Sequence, residues 1–248
     1  MTNDTVLWEI DKRGVATVTL NRPQVNNAYN GDLIDGLHAA MDALGRAAGL
    51  RLVMLRGNGR HFQAGADLAW ISGVATQSPA ENERVSRLTA EAIRRLDTCP
   101  VPTLALIQGG CFGGGTGIAA ACDVVVASED AIFSIAETRW GLMAGIILPQ
   151  LCQAMGVRQV RRYALTGERF DAREARRLGL VPEDLPVVLF VGGSPVAVFH
   201  PASEEERPDD RQDVDEGQAV NLHEFAPYFS ITIANPKQHA DATTPLIS

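Results

Sequence analysis

The chain has 248 residues, 46% of them hydrophobic and 21% charged, a composition that supports a packed core and argues against a low-complexity or fibrous protein. Acidic residues outnumber basic ones 30 to 22, giving a net charge of -8 and a pI near 5.1, which disfavours any general electrostatic grip on nucleic acid or anionic lipid. No apolar run reaches the roughly 18 to 20 residues of a membrane-spanning helix. The four cysteines (Cys99, Cys111, Cys122, Cys152) form no C-x-x-C pair, and the opening MTNDTVLWEIDKRG has no basic-then-apolar leader, so the expectation is a reduced, cytoplasmic protein.

In chain order, short β-rich runs alternate with longer helical patterns, which predicts an α/β architecture. Thr17–Leu20 reads as a strand closed by Asn21-Arg22-Pro23. The segment 31–48 sets Leu33, Leu37, Ala40, Met41 and Leu44 at helical spacing, and Leu52–Leu55 follows as a buried strand ended by Gly57-Asn58-Gly59. The rhythm recurs. A helix is expected over 80–96, a strand over 103–107, a small-residue helix over 114–121, and strands over 124–127 and 131–135.

Three segments could carry chemistry. Phe62-Gln63-Ala64-Gly65-Ala66-Asp67-Leu68 follows a strand and leads into Ala69-Trp70-Ile71; where such a segment enters a helix, unpaired backbone N–H groups can receive an anion or a developing oxyanion. Taken alone, it fits a tight strand-to-helix turn at least as well. The glycine-rich Gln108–Gly117 has the same character, and Gly115–Ala120 formally fits G-x-G-x-x-A, a dinucleotide signature that normally opens its domain and here does not. Glu137 stands in mostly apolar company: paired with Arg139 it would be structural, whereas in an apolar pocket its raised pKa would let it exchange protons near neutrality. There is no H-E-x-x-H, G-x-x-x-x-G-K-[ST] or G-x-S-x-G motif and no Cys/His cluster at metal spacing, and His38 and His61 read as surface or packing residues.

Taken together and in order, these segments resemble the crotonase family of enoyl-CoA hydratases and isomerases. The resemblance runs from Leu20-Asn21-Arg22-Pro23 and Asn27-Ala28, through Ala64-Gly65-Ala66-Asp67-Leu68, Gly113-Gly114-Gly115 and Ala121-Cys122-Asp123, to Glu137, Gly141-Leu142 and Leu165–Phe170, about 180 residues in all. It implies a spiral of ββα units and an acyl-CoA thioester as partner, coenzyme A being part of the substrate and no further cofactor or metal being needed. It also implies an oxyanion hole formed by the N–H groups of Ala66 and Gly114. Substrate and CoA contacts then fall to Ala64, Gly65, Asp67, Leu68 and Gly113, with Gln24 and Val25 at the adenine end, where the family often has a lysine in place of Gln24.

Glu137 matches one of the two glutamates of the family's hydratases. The other position, three residues after the middle glycine, is Gly117, so a single-glutamate isomerase and a non-catalytic acyl-CoA-binding protein stand beside hydratase as expectations. The stretches Gly109–Gly117 and Glu137–Pro149 resemble hydratases of 3-substituted glutaconyl-CoA, which serve leucine and acyclic-terpene breakdown, with isohexenylglutaconyl-CoA hydratase the nearest. In that reading Arg139 binds the substrate's second carboxylate.

The resemblance stops after Gly179-Leu180-Val181. Residues 182–248 hold 12 acidic against 3 basic side chains and 8 of the 13 prolines, while 1–181 carry 18 acidic and 19 basic. The expected division is a crotonase-like domain over 1–181 and an acidic, proline-rich tail over 182–248, disordered over 201–221, that replaces the family's helical C-terminal region as a changed terminus or a frame-shifted sequence would. Assembly as a homotrimer or hexamer depends on that tail.

Overall fold

The computed structural model describes residues 4–182 in full, together with the backbone of three strands further on. The first unit, Met1–Glu183, is built around a five-stranded sheet in the order β1-β2-β3-β4-β6: β1 (Val6–Ile10) runs antiparallel to β2 (Val15–Leu20), and β2, β3 (Leu52–Gly57), β4 (Thr103–Ile107) and β6 (Val124–Ala127) run parallel. The inner strands are almost continuously apolar, as strands covered on both faces must be; all five residues of β4 are buried. A second sheet joins β5 (Gly110–Phe112), β7 (Ile132–Ser134) and β8 (Arg169–Asp171).

Among the described residues, seven helices surround these sheets: α1 (Gly31–Gly45), α2 (Leu68–Ala75), α3 (Pro79–Asp97), α4 (Gly114–Ala120), α5 (Leu148–Met155), α6 (Val157–Thr166) and α7 (Ala172–Arg177). The Asn30 side chain caps α1 by accepting the Leu33 N–H at 3.1 Å, and Leu33, Ile34, Leu37, Ala40, Met41 and Leu44 form its buried stripe. In α3, Ser78 caps, Pro79 occupies the first turn and Arg94 and Arg95 the last, an arrangement that suits the helix dipole. Helices α1, α3 and α4 and strands β2, β3, β4 and β6 fall where the sequence places them to within a few residues, whereas α5, α6 and α7 were not expected from it. The short strand β7 falls within the expected 131–135, whereas the edge strand β1, which buries Val6 alone, and the three-residue strands β5 and β8 carry too little periodicity to be read in advance.

The second unit, Asp184–Ser248, contains β9 (Val187–Val191), β10 (Ser194–Pro201) and β11 (Phe229–Thr232), an antiparallel sheet in the order β11-β10-β9 with an irregularity at Pro195, where no N–H is available to the ladder. The expectation of disorder over 201–221 lies, beyond Pro201, outside the described residues.

Candidate active site

The site lies beyond the carboxyl ends of β3 and β4, where parallel strands deliver their loops to one place. The loop after β3 is held by Asn27, a fully buried residue in the left-handed region (φ 56°). Its Nδ2 donates to the carbonyls of Asn58, His61 and Phe62 at 2.9 to 3.1 Å, and its Oδ1 accepts the Arg22 N–H at 2.8 Å. Further along, the buried Gln63 side chain closes on Gly65, accepting its N–H at 2.8 Å and donating to its carbonyl at 2.9 Å. His61 Nδ1 accepts the Gly110 N–H at 2.7 Å, which makes it a packing residue as expected.

Ala66 pairs with Tyr29 in an isolated parallel bridge: the Tyr29 N–H donates to Gly65 O, and its carbonyl accepts the Asp67 N–H, both at 2.9 Å. In such a bridge the N–H of the central residue faces the other way, and that of Ala66 has no partner among the described residues. The second loop presses against the first, since a Cβ on Gly113 would lie 3.5 Å from Gly65 Cα. Gly113 has φ 53° and precedes Gly114, the first residue of α4, whose N–H is likewise without a partner among the described residues. Both positions need glycine: a Cβ at Gly113 would meet Glu137 Oε1 at 3.0 Å, and one at Gly114 would meet Tyr29 Cε1 at 2.6 Å.

Glu137 opens a short 3-10 turn, Glu137–Trp140, after β7. Its Oε2 is buried without a partner among the described residues, and burial pushes its carboxyl above the usual range, opposed by its own backbone N–H. Glu137, Gly114 and Tyr29 line one cavity, of about 790 Å³ when its open mouth is counted. Leu37, Ile71, Ile93, Ile118 and Ile147 supply its apolar walls, and Leu142 and Met143, both exposed, also border it.

The remaining candidate residues are placed less centrally. Gln24 and Val25 lie in an exposed 3-10 turn, Pro23–Val25, tied to the first loop through Asn26 O and the Ala64 N–H at 3.0 Å. The Asp67 carboxylate is engaged by Arg22 at 3.1 Å and by the first N–H groups of α2; although burial pulls its pKa upward, these partners hold it below the usual range. Leu68, the first residue of α2, is exposed. Arg139 is exposed too, its Nε donating to Gly167 O at 2.7 Å, and it is not among the residues lining the cavity. A side chain at Gly117 is blocked, because a Cβ there would lie 2.1 Å from Ile147 Cγ2. The sequence alone assigns no role to Tyr29, Gln63 or Ile147, although Gln63 lies within Phe62–Leu68 and Ile147 within Glu137–Pro149.

Residues 11–193 match the family model for enoyl-CoA hydratase/isomerase, and the chain belongs to that family of enzymes, with the crotonase-like α/β fold. A relative from Thermus thermophilus bearing an enoyl-CoA hydratase name is 37% identical over 178 residues, 72% of this chain and 70% of that one. The peroxisomal Delta(3,5)-Delta(2,4)-dienoyl-CoA isomerase of Arabidopsis thaliana is 35% identical over 65% of this chain and 62% of its own. The crystal structure of an enoyl-CoA hydratase from Shewanella pealeana superposes with a TM-score of 0.69 at 34% identity, covering 71% of this chain and 66% of that one. No helix among the described residues is long and apolar enough to cross a membrane.

Proposed function

We propose that the chain is an enoyl-CoA hydratase adding water to the α,β double bond of a branched, 3-substituted glutaconyl-type CoA thioester. The observation that carries the reading is one apolar cavity bordered by the Gly114 turn and by a desolvated carboxylate, with Ala66 on the adjoining loop and the N–H groups of both Gly114 and Ala66 unpartnered among the described residues. When water attacks the β-carbon, the thioester oxygen gains negative charge, and the N–H groups of Ala66 and Gly114 oppose that charge in a low-dielectric site. Glu137 takes a proton from the water and returns it to the α-carbon, and burial, which raises its pKa, makes it the stronger base.

The glutaconyl assignment rests on the likeness of Gly109–Gly117 and Glu137–Pro149 to that subgroup. The cavity walls suit an apolar branch and include no arginine or lysine among the described residues, so the second carboxylate must stay towards the mouth. Purified protein is incubated with 3-methylglutaconyl-CoA and crotonyl-CoA, following water addition by mass and the loss of conjugated-thioester absorbance. Turnover of the first alone supports the assignment; thioester binding without turnover refutes hydratase activity. An unchanged preference in Arg139→Ala removes Arg139 from the reading.

One observation favours a second reading: Ile147 fills the space of a carboxylate at 117, leaving the single glutamate of an isomerase. Movement of the double bond without a change in mass identifies that activity. The hydratase reading takes CoA as part of the substrate, adds no cofactor, places the enzyme in the cytoplasm, where its four free thiols stay reduced, and assembles it as a homotrimer or hexamer.

A further inference from the structure

Tyr29 stands between the two proposed oxyanion donors. Its backbone is bridged to Ala66, and its ring covers the start of α4 so closely that a Cβ on Gly114 would lie 2.6 Å from Cε1 and 3.5 Å from Cζ. Trp70 supports the ring edge-on, with centroids 5.8 Å apart and planes at 70°. The hydroxyl has no hydrogen-bond partner among the described residues, and the side chain lines the same cavity as Glu137. The cavity's other hydroxyls belong to Ser86 and Thr89 on α3, and that of Thr89 already donates to Val85 O at 2.9 Å.

We propose, resting on the hydratase reading, that Tyr29 is a further catalytic residue whose phenol oxygen holds the attacking water opposite Glu137, in place of the second carboxylate that Ile147 excludes at 117. The water oxygen forms the bond to the β-carbon. One of its hydrogens passes to Glu137 and on to the α-carbon; the other stays on the product hydroxyl and is the one Tyr29 Oη accepts. The phenol keeps its own proton throughout, because burial and the neighbouring Glu137 carboxylate push it up to about 12.

Tyr29→Phe tests this, since it keeps the ring against Gly114 and Trp70 and removes the hydroxyl alone. With the full chain and whichever of 3-methylglutaconyl-CoA or crotonyl-CoA the wild type hydrates, kcat for hydration falls by about tenfold or more, as for a lost hydrogen bond to the reacting water, while KM changes less than twofold. Solvent-deuterium exchange at the α-carbon of butyryl-CoA, which uses Glu137 and the oxyanion hole but adds no water, stays at the wild-type rate. Unchanged hydration overturns the proposal, and so does a parallel fall of hydration and exchange, which would assign Tyr29 to the integrity of the oxyanion hole. A wild type that binds both thioesters and hydrates neither overturns the hydratase reading itself, and the role of Tyr29 with it.

Discussion

Replacing Glu137 by glutamine separates what the carboxylate does for chemistry from what it costs the fold. Its Oε2 is buried without a partner among the described residues, and burial raises its pKa above the usual 4.5. Because the folded-state pKa is the higher one, the folded protein binds the proton more tightly: the carboxylate is harmless below about pH 4.5 and increasingly destabilising as pH rises to the folded pKa, with the penalty constant beyond it. Within that window the penalty grows by at most about 1.4 kcal/mol per pH unit. The amide of the Glu137→Gln variant carries no charge and escapes it. In urea titrations from pH 4 to 9, Glu137→Gln should gain stability relative to wild type as pH rises and then level off, each kcal/mol corresponding to about 2–4 °C in Tm for a chain of this size. Its hydration rate should fall by about 100-fold or more. A stability difference that is flat with pH, or that moves towards the wild type at high pH, would refute the claim that Glu137 is held desolvated.

Three further substitutions probe the frame around it. Gly114→Ala forces the Tyr29 ring or the start of α4 to move by about 0.8 Å to restore ordinary contact, enough to carry an N–H out of hydrogen-bond range; steady-state kinetics should show kcat down about 10²–10³-fold with thioester binding retained, and a wild-type kcat would remove Gly114 from the oxyanion hole. Asn27→Ala leaves the carbonyls of Asn58, His61 and Phe62 without their shared donor, so chemical denaturation should register a loss of about 2–4 kcal/mol; a loss under about 1 kcal/mol would show that water replaces it. Gly117→Glu should not improve hydration and should destabilise by about 1–3 kcal/mol, part of which Ile147→Ala recovers, because the clash is with the Ile147 side chain. Additive losses in the double variant would contradict that packing.

The helices with an apolar stripe and the buried strands were legible because their signal is local: the face of α1 is written in Leu33, Leu37, Ala40, Met41 and Leu44, all of which are buried. The two turns that present Ala66 and Gly114 were legible as composition, since small residues after a strand leave room for a ligand to reach backbone. Contacts between distant parts of the chain were not. Nothing in the sequence shows that Ile147 occupies the space beside Gly117, or that Tyr29 lies over Gly114, because both depend on how separate ββα layers stack. Asp67 adds a role its place in the loop does not announce: its carboxylate caps α2 and pairs with Arg22.

The two unpartnered N–H groups belong to main chain, one fixed by a bridge to Tyr29 and the other by the start of α4. Short of proline, no exchange of one side chain for another deletes either of them outright. The proposed charge-stabilising half of the site is therefore insulated from most point mutations, whereas the cavity walls on α1, α3 and the 142–147 segment are made of side chains. On the proposed reading, a site built this way can change the acyl group it accepts many times over an evolutionary history while the main-chain donors facing the thioester oxygen stay in place.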